Sequence, residues 1–125
     1  VKIKTSELKD KALDWAVASL VGVKLESYLA ALAWMKRKEP DDEELAAHHA
    51  YEFSTQWSCG GPIIERELIT VTAHFDQHDW TAWTPAPECK SGEAHGRGPT
   101  PLIAAMRCFV ASEMGDEVDI PEELK

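Results

Sequence analysis

Two runs of strict alternation, separated by a polar break, constrain this chain more than any other feature. Ile69, Val71, Ala73 and Phe75 alternate with Thr70, Thr72 and His74; beyond Asp76-Gln77-His78-Asp79 the pattern resumes as Trp80-Thr81-Ala82-Trp83-Thr84. A period of two sends every second side chain to the same face of a pleated strand. The two runs therefore predict an antiparallel hairpin over about residues 69–84. Trp80 shares a face with Ala82 and is assigned to the core. Trp83 falls on the opposite face with Thr81, where packing is the default and a stacked ligand the alternative.

Around the hairpin the period changes to that of a helix. Leu13, Ala16, Val17 and Leu20 recur at helical spacing over about residues 10–20, with Gly22 in the position of a C-terminal cap. A second stripe, Leu25, Tyr28, Leu29, Leu32 and Met35, predicts a helix over residues 25–37 that Pro40 ends. Asp41-Asp42-Glu43-Glu44 reads as the acidic N-terminus of a third helix. Gly60-Gly61-Pro62 reads as a junction, with the glycines turning the chain and Pro62 opening a short helix over residues 63–68. Trp57 before it is expected to staple that junction hydrophobically.

Residues 85–99, rich in Pro, Gly, Ser, Lys and Glu, read as one long mobile loop. Thr100 and Pro101 then supply the N-cap and first position of a helix to about Met114 that buries Leu102, Met106, Phe109 and Val110, with Gly115 as its stop. Short terminal strands are expected at Val1-Lys2-Ile3-Lys4 and Glu117-Val118-Asp119-Ile120, with a frayed tail from Glu122. The expected fold is α+β: a small antiparallel sheet packed between helices in a layered sandwich, one domain over residues 1–125.

Length and charge narrow the function. A chain of 125 residues fits one core. Its net charge of −9 repels the phosphate backbone that dominates nucleic-acid affinity, so no nucleic-acid partner is expected. The acids bunch at residues 39–44 and 116–123 rather than at phosphate spacing, which argues against a DNA mimic. Cys59, Cys89 and Cys108 are odd in number and lack a C-x-x-C pair, as expected of reduced thiols. No apolar run approaches the ~18 residues of a spanning helix, and no charged-then-apolar leader is seen; a soluble, unexported protein without a membrane partner is expected.

Catalytic and metal patterns are sparse. His48 and His49 are adjacent and diverge on a helix, while His74, Asp76 and His78 flank a turn without a fourth ligand, so no metal or other cofactor is expected. Cys89 and His95 share a segment without the spacing of a nucleophile and its base. Asp14, Glu65 and Glu67 make no acid–base pair, and the common nucleotide and hydrolase motifs are absent. A non-enzyme is expected. The best binding candidate is His95-Gly96-Arg97-Gly98-Pro99-Thr100, where glycines, an arginine and a helix N-terminus could converge on an anion. The plainer alternative is a turning loop with Thr100 as a cap. Arg66 and Arg107 lie on half-buried helices, where a solvated or paired arginine is the default.

At Ala12-Leu13-Asp14-Trp15-Ala16-Val17, Gly60-Gly61-Pro62-Ile63-Ile64-Glu65-Arg66-Glu67 and Thr100-Pro101-Leu102-Ile103-Ala104-Ala105-Met106-Arg107-Cys108, followed by Gly115-Asp116-Glu117-Val118, the chain resembles phage NinX-like proteins. That family has no settled activity. More distantly, Tyr51-Glu52-Phe53-Ser54-Thr55 and the overall layout resemble the phage ABA sandwich domain. The resemblance implies a phage accessory protein in the host bacterial cytoplasm that acts by binding. It points to counter-defence by sequestering a nucleotide-type immune signal. A phosphate-bearing small molecule would meet Arg97, Gly98 and the helix start at Thr100, with Trp83 on its base and Arg107 as a further ligand-binding candidate. Two alternatives stand beside it: an inhibitor that binds a host or defence protein through the acidic patches and the 25–37 helix, and a small hydrolase of a nucleotide signal. A homo-oligomer is compatible with each.

Overall fold

The computed structural model describes residues 1–37, 51–89 and 91–125. The third helix expected from Asp41, the acidic run at 39–44 and the His48-His49 pair lie outside the described residues. The order of elements is β1 (Lys2–Lys4), a 3-10 turn (Thr5–Glu7), α1 (Asp10–Leu20), α2 (Leu25–Arg37), α3 (Trp57–Arg66), β2 (Thr70–His74), β3 (Asp79–Pro85), β4 (Glu93–Gly98), α4 (Pro101–Met114), β5 (Glu117–Asp119) and a closing 3-10 turn (Glu122–Leu124). The fold is α+β, with two small antiparallel sheets: β2-β3-β4, and β1 with β5.

Helix α4 organises the layers. It packs against all three strands of the larger sheet and also against α1, with α2 attached to α1. Contact on two sides explains why Ala104, Ala105 and Cys108 are buried along with the expected Leu102, Met106, Phe109 and Val110. Its start follows the expected chemistry: the Ile103 N–H donates to Thr100 Oγ1 at 3.1 Å, with Pro101 in the first turn. Gly115 ends it at φ 83°, a conformation that costs glycine little.

The hairpin forms in the expected register, with Thr70 opposite Trp83 and Thr72 opposite Thr81. Directly opposed residues share a face, so Val71, Ala73, Trp80 and Ala82 turn toward α4, and Trp80 and Ala82 join the core. Phe75, by contrast, is 89% exposed, because β2 ends at His74 and the turn begins there.

Three expectations are corrected. Residues 85–99 are not one mobile loop: β3 extends to Pro85, and β4 pairs with it from Trp80–Gly98 to Pro85–Glu93. The glycines that read as turn residues serve close packing instead. A Cβ at Gly96 would overlap the Ala104 carbonyl and the Cys108 amide nitrogen, and one at Gly98 would lie 2.7 Å from Ile103 Cγ2.

The second correction has the same cause. Helix α3 begins at Trp57, six residues before Ile63, and carries Gly60, Gly61 and Pro62 inside it. A Cβ at Gly60 would lie 2.5 Å from the Phe53 carbonyl oxygen and 2.7 Å from Leu102 Cδ2, so this glycine admits a neighbour rather than a turn. Trp57 is 57% exposed at the first helical position, not a buried staple. Third, the C-terminal tail is not frayed: Leu124 is 1% exposed and belongs to the core.

Candidate ligand cleft

The phase of the β3–β4 ladder decides what the edge of the sheet presents. At the closing turn the Ala86 N–H donates to the Gly92 carbonyl at 2.8 Å. Antiparallel pairs alternate between hydrogen-bonded and non-bonded, so the bonded pairs that follow are Thr84–Ala94, Ala82–Gly96 and Trp80–Gly98 in the observed register. The N–H and C=O groups of Glu93, His95 and Arg97 therefore point away from β3, toward an edge that carries no further strand among the described residues. The Arg97 carbonyl bears this out, since it accepts from Arg107 Nη1 at 2.7 Å.

Along this edge runs a cleft of about 430 Å³. Lys4, Thr5 and Ser6 line it from β1 and the first turn, Thr81, His95, Gly96 and Arg97 from the sheet, Arg107 and Ala111 from α4, and Asp116 and Glu117 from the approach to β5. Helix α4 projects Arg107 across it, where Nε donates to the Leu8 carbonyl at 2.8 Å while Nη1 holds Arg97. Both acceptors are neutral. No carboxylate lies within ion-pair distance of this guanidinium among the described residues, and burial lowers its pKa from the ordinary arginine value.

Arg97 is placed differently. Its side chain lies on the sheet face away from α4, paired to Asp79 and hydrogen-bonded to Gln77, so a carboxylate already offsets its charge. His95 Nε2 lies 3.2 Å from Glu93 Oε2 on the same face, and His74 Nε2 lies 2.9 Å from Thr81 Oγ1.

Of the residues singled out from sequence, Arg97 and Arg107 line one cleft. Gly98, Thr100 and Trp83 do not line it. Gly98 backs onto Ile103, Thr100 Oγ1 is engaged by its own helix, and Trp83, 38% exposed, stands on the outer face opposite Thr70 and His95. Sequence reasoning missed Lys4 and Thr81 as lining residues; their strand alternation assigned each a face but no neighbour across the chain. Among the described residues, no three or more His, Cys, Asp or Glu side chains gather as a metal site requires.

A second polar feature centres on Asp14, which the sequence offered only as a carboxylate without an acid–base partner. Asp14 is 8% exposed on α1 and accepts the Ser54 N–H at 2.8 Å. Its carboxyl is pushed up to about 6, chiefly by burial, with the Ser54 hydrogen bonds opposing and the Glu52 and Asp10 charges adding to the rise. It borders a cavity of about 80 Å³ with Lys11, Tyr28, Ala31, Leu32, Tyr51 and Glu52. The only signal in the sequence was an aspartate directly beside the apolar stripe of Leu13, Ala16 and Val17.

Fold and cleft together define a small α+β domain with a guanidinium-bearing cleft beside a sheet edge that carries no further strand among the described residues. Its sequence matches the family model described as Bacteriophage P22, NinX over residues 4–113. The chain belongs to that family, as its sequence blocks suggested. No curated protein matches it. Among the described residues, no helix is long and apolar enough to cross a membrane.

Proposed function

We propose that this phage accessory protein acts by retaining an anionic, phosphate-bearing small molecule in the cleft beside β4, without transforming it. The observation that carries this reading is the Arg107 guanidinium, held by two carbonyls and without a carboxylate partner among the described residues. In a chain of net charge −9, a shielded cation facing a cleft is a local exception, and Lys4 lines the same space. Partial exclusion of water strengthens its attraction for an anion. At about 430 Å³ the cleft falls in the roughly 300–1,000 Å³ range of small-molecule sites. Asp116 and Glu117 line it too and would accept hydrogen bonds from ligand hydroxyls rather than hold the phosphate.

Retention also fits what the cleft lacks as a reaction centre. The Thr5 hydroxyl is committed to the Gly115 carbonyl at 2.6 Å and His95 is turned to Glu93; the Thr81 hydroxyl does meet His74 Nε2 at 2.9 Å, but no carboxylate among the described residues orients that imidazole as a base. In a phage protein, holding a nucleotide-type immune signal out of circulation would be a use for such a cleft.

The test is isothermal titration with cyclic ADP-ribose isomers, cyclic oligonucleotides and pyrophosphate, followed by mass spectrometry of the recovered ligand. We expect binding that weakens with salt, at least tenfold loss in Lys4→Gln, which removes the charge without opposing a second carboxylate to Glu117 across the β1–β5 pair and so leaves the melting temperature nearly unchanged, and ligand recovered intact. Absence of heat with every phosphate ligand would refute the reading, as would recovery of a cleaved product.

A further inference from the structure

Resting on that reading, we infer that the ligand carries a planar donor–acceptor edge of the kind a nucleobase presents, and that the β4 backbone at His95 and Arg97 reads it. The ladder phase turns Gly96 toward β3 and leaves its two neighbours facing the cleft. The outward His95 C=O and Arg97 N–H stand side by side along the edge, one acceptor and one donor. A base edge offers the complement: an N–H beside a ring nitrogen or a carbonyl, as N6–H and N1 do in adenine or N1–H and O6 in guanine. These backbone groups are fixed by the sheet and lose no side-chain entropy on binding.

Arg107 decides between a compact ring and an extended peptide. A peptide added as a fourth strand would pair with every outward group in turn, including the Arg97 carbonyl. That carbonyl is already occupied by Arg107 Nη1 at 2.7 Å and the Glu93 carbonyl accepts from Ser91 Oγ at 3.0 Å, which leaves the His95 carbonyl, beside the Arg97 N–H, as the outward acceptor without a partner among the described residues. A ligand that needs only the His95 carbonyl and the Arg97 N–H fits the interrupted edge. The same guanidinium then stands next to the base-reading pair, with Lys4 also lining the cleft, so base and phosphate are met within one space.

The experiment titrates the full chain with adenosine 5′-monophosphate, its N6,N6-dimethyl derivative and ribose 5-phosphate, and follows the Arg97 amide by nitrogen–proton correlation spectroscopy. Adenosine monophosphate should bind at least tenfold more tightly than either of the others, and it alone should shift the Arg97 amide. Equal binding of all three with an unmoved Arg97 amide would overturn the base-reading inference while leaving an anion cleft in place. No binding by any of the three would overturn the inference and count against the proposed function as well.

Discussion

Replacing Asp14 with asparagine should make the protein more stable at neutral pH. The carboxylate is buried, accepts the Ser54 N–H at 2.8 Å, and has its pKa raised from 3.8 to about 6. Burial is the main cause, because a charged group loses water that two hydrogen bonds only partly replace. Between those two pH values the folded chain keeps a proton that the unfolded chain has released. Asp14 therefore contributes its full stability below about pH 4, and that contribution is lost as pH rises through about 6. A shift of about two units at ~1.4 kcal/mol each sets the loss at about 3 kcal/mol.

An asparagine in this position would present the same oxygen to the Ser54 N–H without the charge, and its amide could donate to the Ser54 hydroxyl that already bonds Asp14. Allowing for imperfect geometry, Asp14→Asn should gain about 1–3 kcal/mol at pH ~7.5, shrinking to nothing near pH ~4. Urea unfolding of both proteins across that range measures the difference directly, provided the m-values agree. A variant less stable than the parent at neutral pH, or a difference that does not change with pH, would refute the reasoning.

Other perturbations follow from single contacts. Leu68 sits at φ 55° and 76% exposed just past α3, where a left-handed residue lets the Ile69 N–H reach the Ile64 carbonyl at 3.0 Å; Leu68→Asn should stabilise by about 0.5–1 kcal/mol in urea unfolding. Gly96→Ala drives a methyl into the α4 backbone and should cost about 3 kcal/mol or more, read as a large fall in melting temperature. Thr100→Ala removes the cap on Ile103 and should cost about 1 kcal/mol by the same assay. Leu124→Ala should cost about 2–4 kcal/mol, as for any filled core position, whereas a frayed tail would give no change.

Elements that satisfy themselves locally were legible in the sequence. The 69–84 alternation fixed both the hairpin and the opposite faces of Trp80 and Trp83; the helical stripes, with Gly22, Gly115 and Thr100 at their ends, placed α1, α2 and α4 within a residue or so. The cleft was legible only in part. Arg97 could be proposed because it preceded a helix start, yet its side chain went to Asp79 on the far face, and Arg107 instead supplied a charge that meets no carboxylate among the described residues. Nothing local distinguishes those outcomes, because each depends on which distant carbonyl or carboxylate the fold brings near.

Glycine shows the physical root of the difference. A missing Cβ can serve the chain, by permitting a positive φ, or serve a neighbour, by leaving room, and the letter in the sequence is the same. Gly22 and Gly115 are of the first kind, with φ of 94° and 83° and nothing near the absent methyl. Gly60, Gly96 and Gly98 are of the second, each pressed against another element. Reading the second kind as the first dissolved β4 into a loop and split α3. It also hid the cleft, because an edge exists only once β4 is a strand. The close approach at Gly96 thus does two things with one omission: it lets β4 lie on α4, and it brings the Arg97 carbonyl to where Arg107 can reach it. Filling that space should therefore weaken ligand binding together with stability, whereas Leu68→Asn should change stability alone.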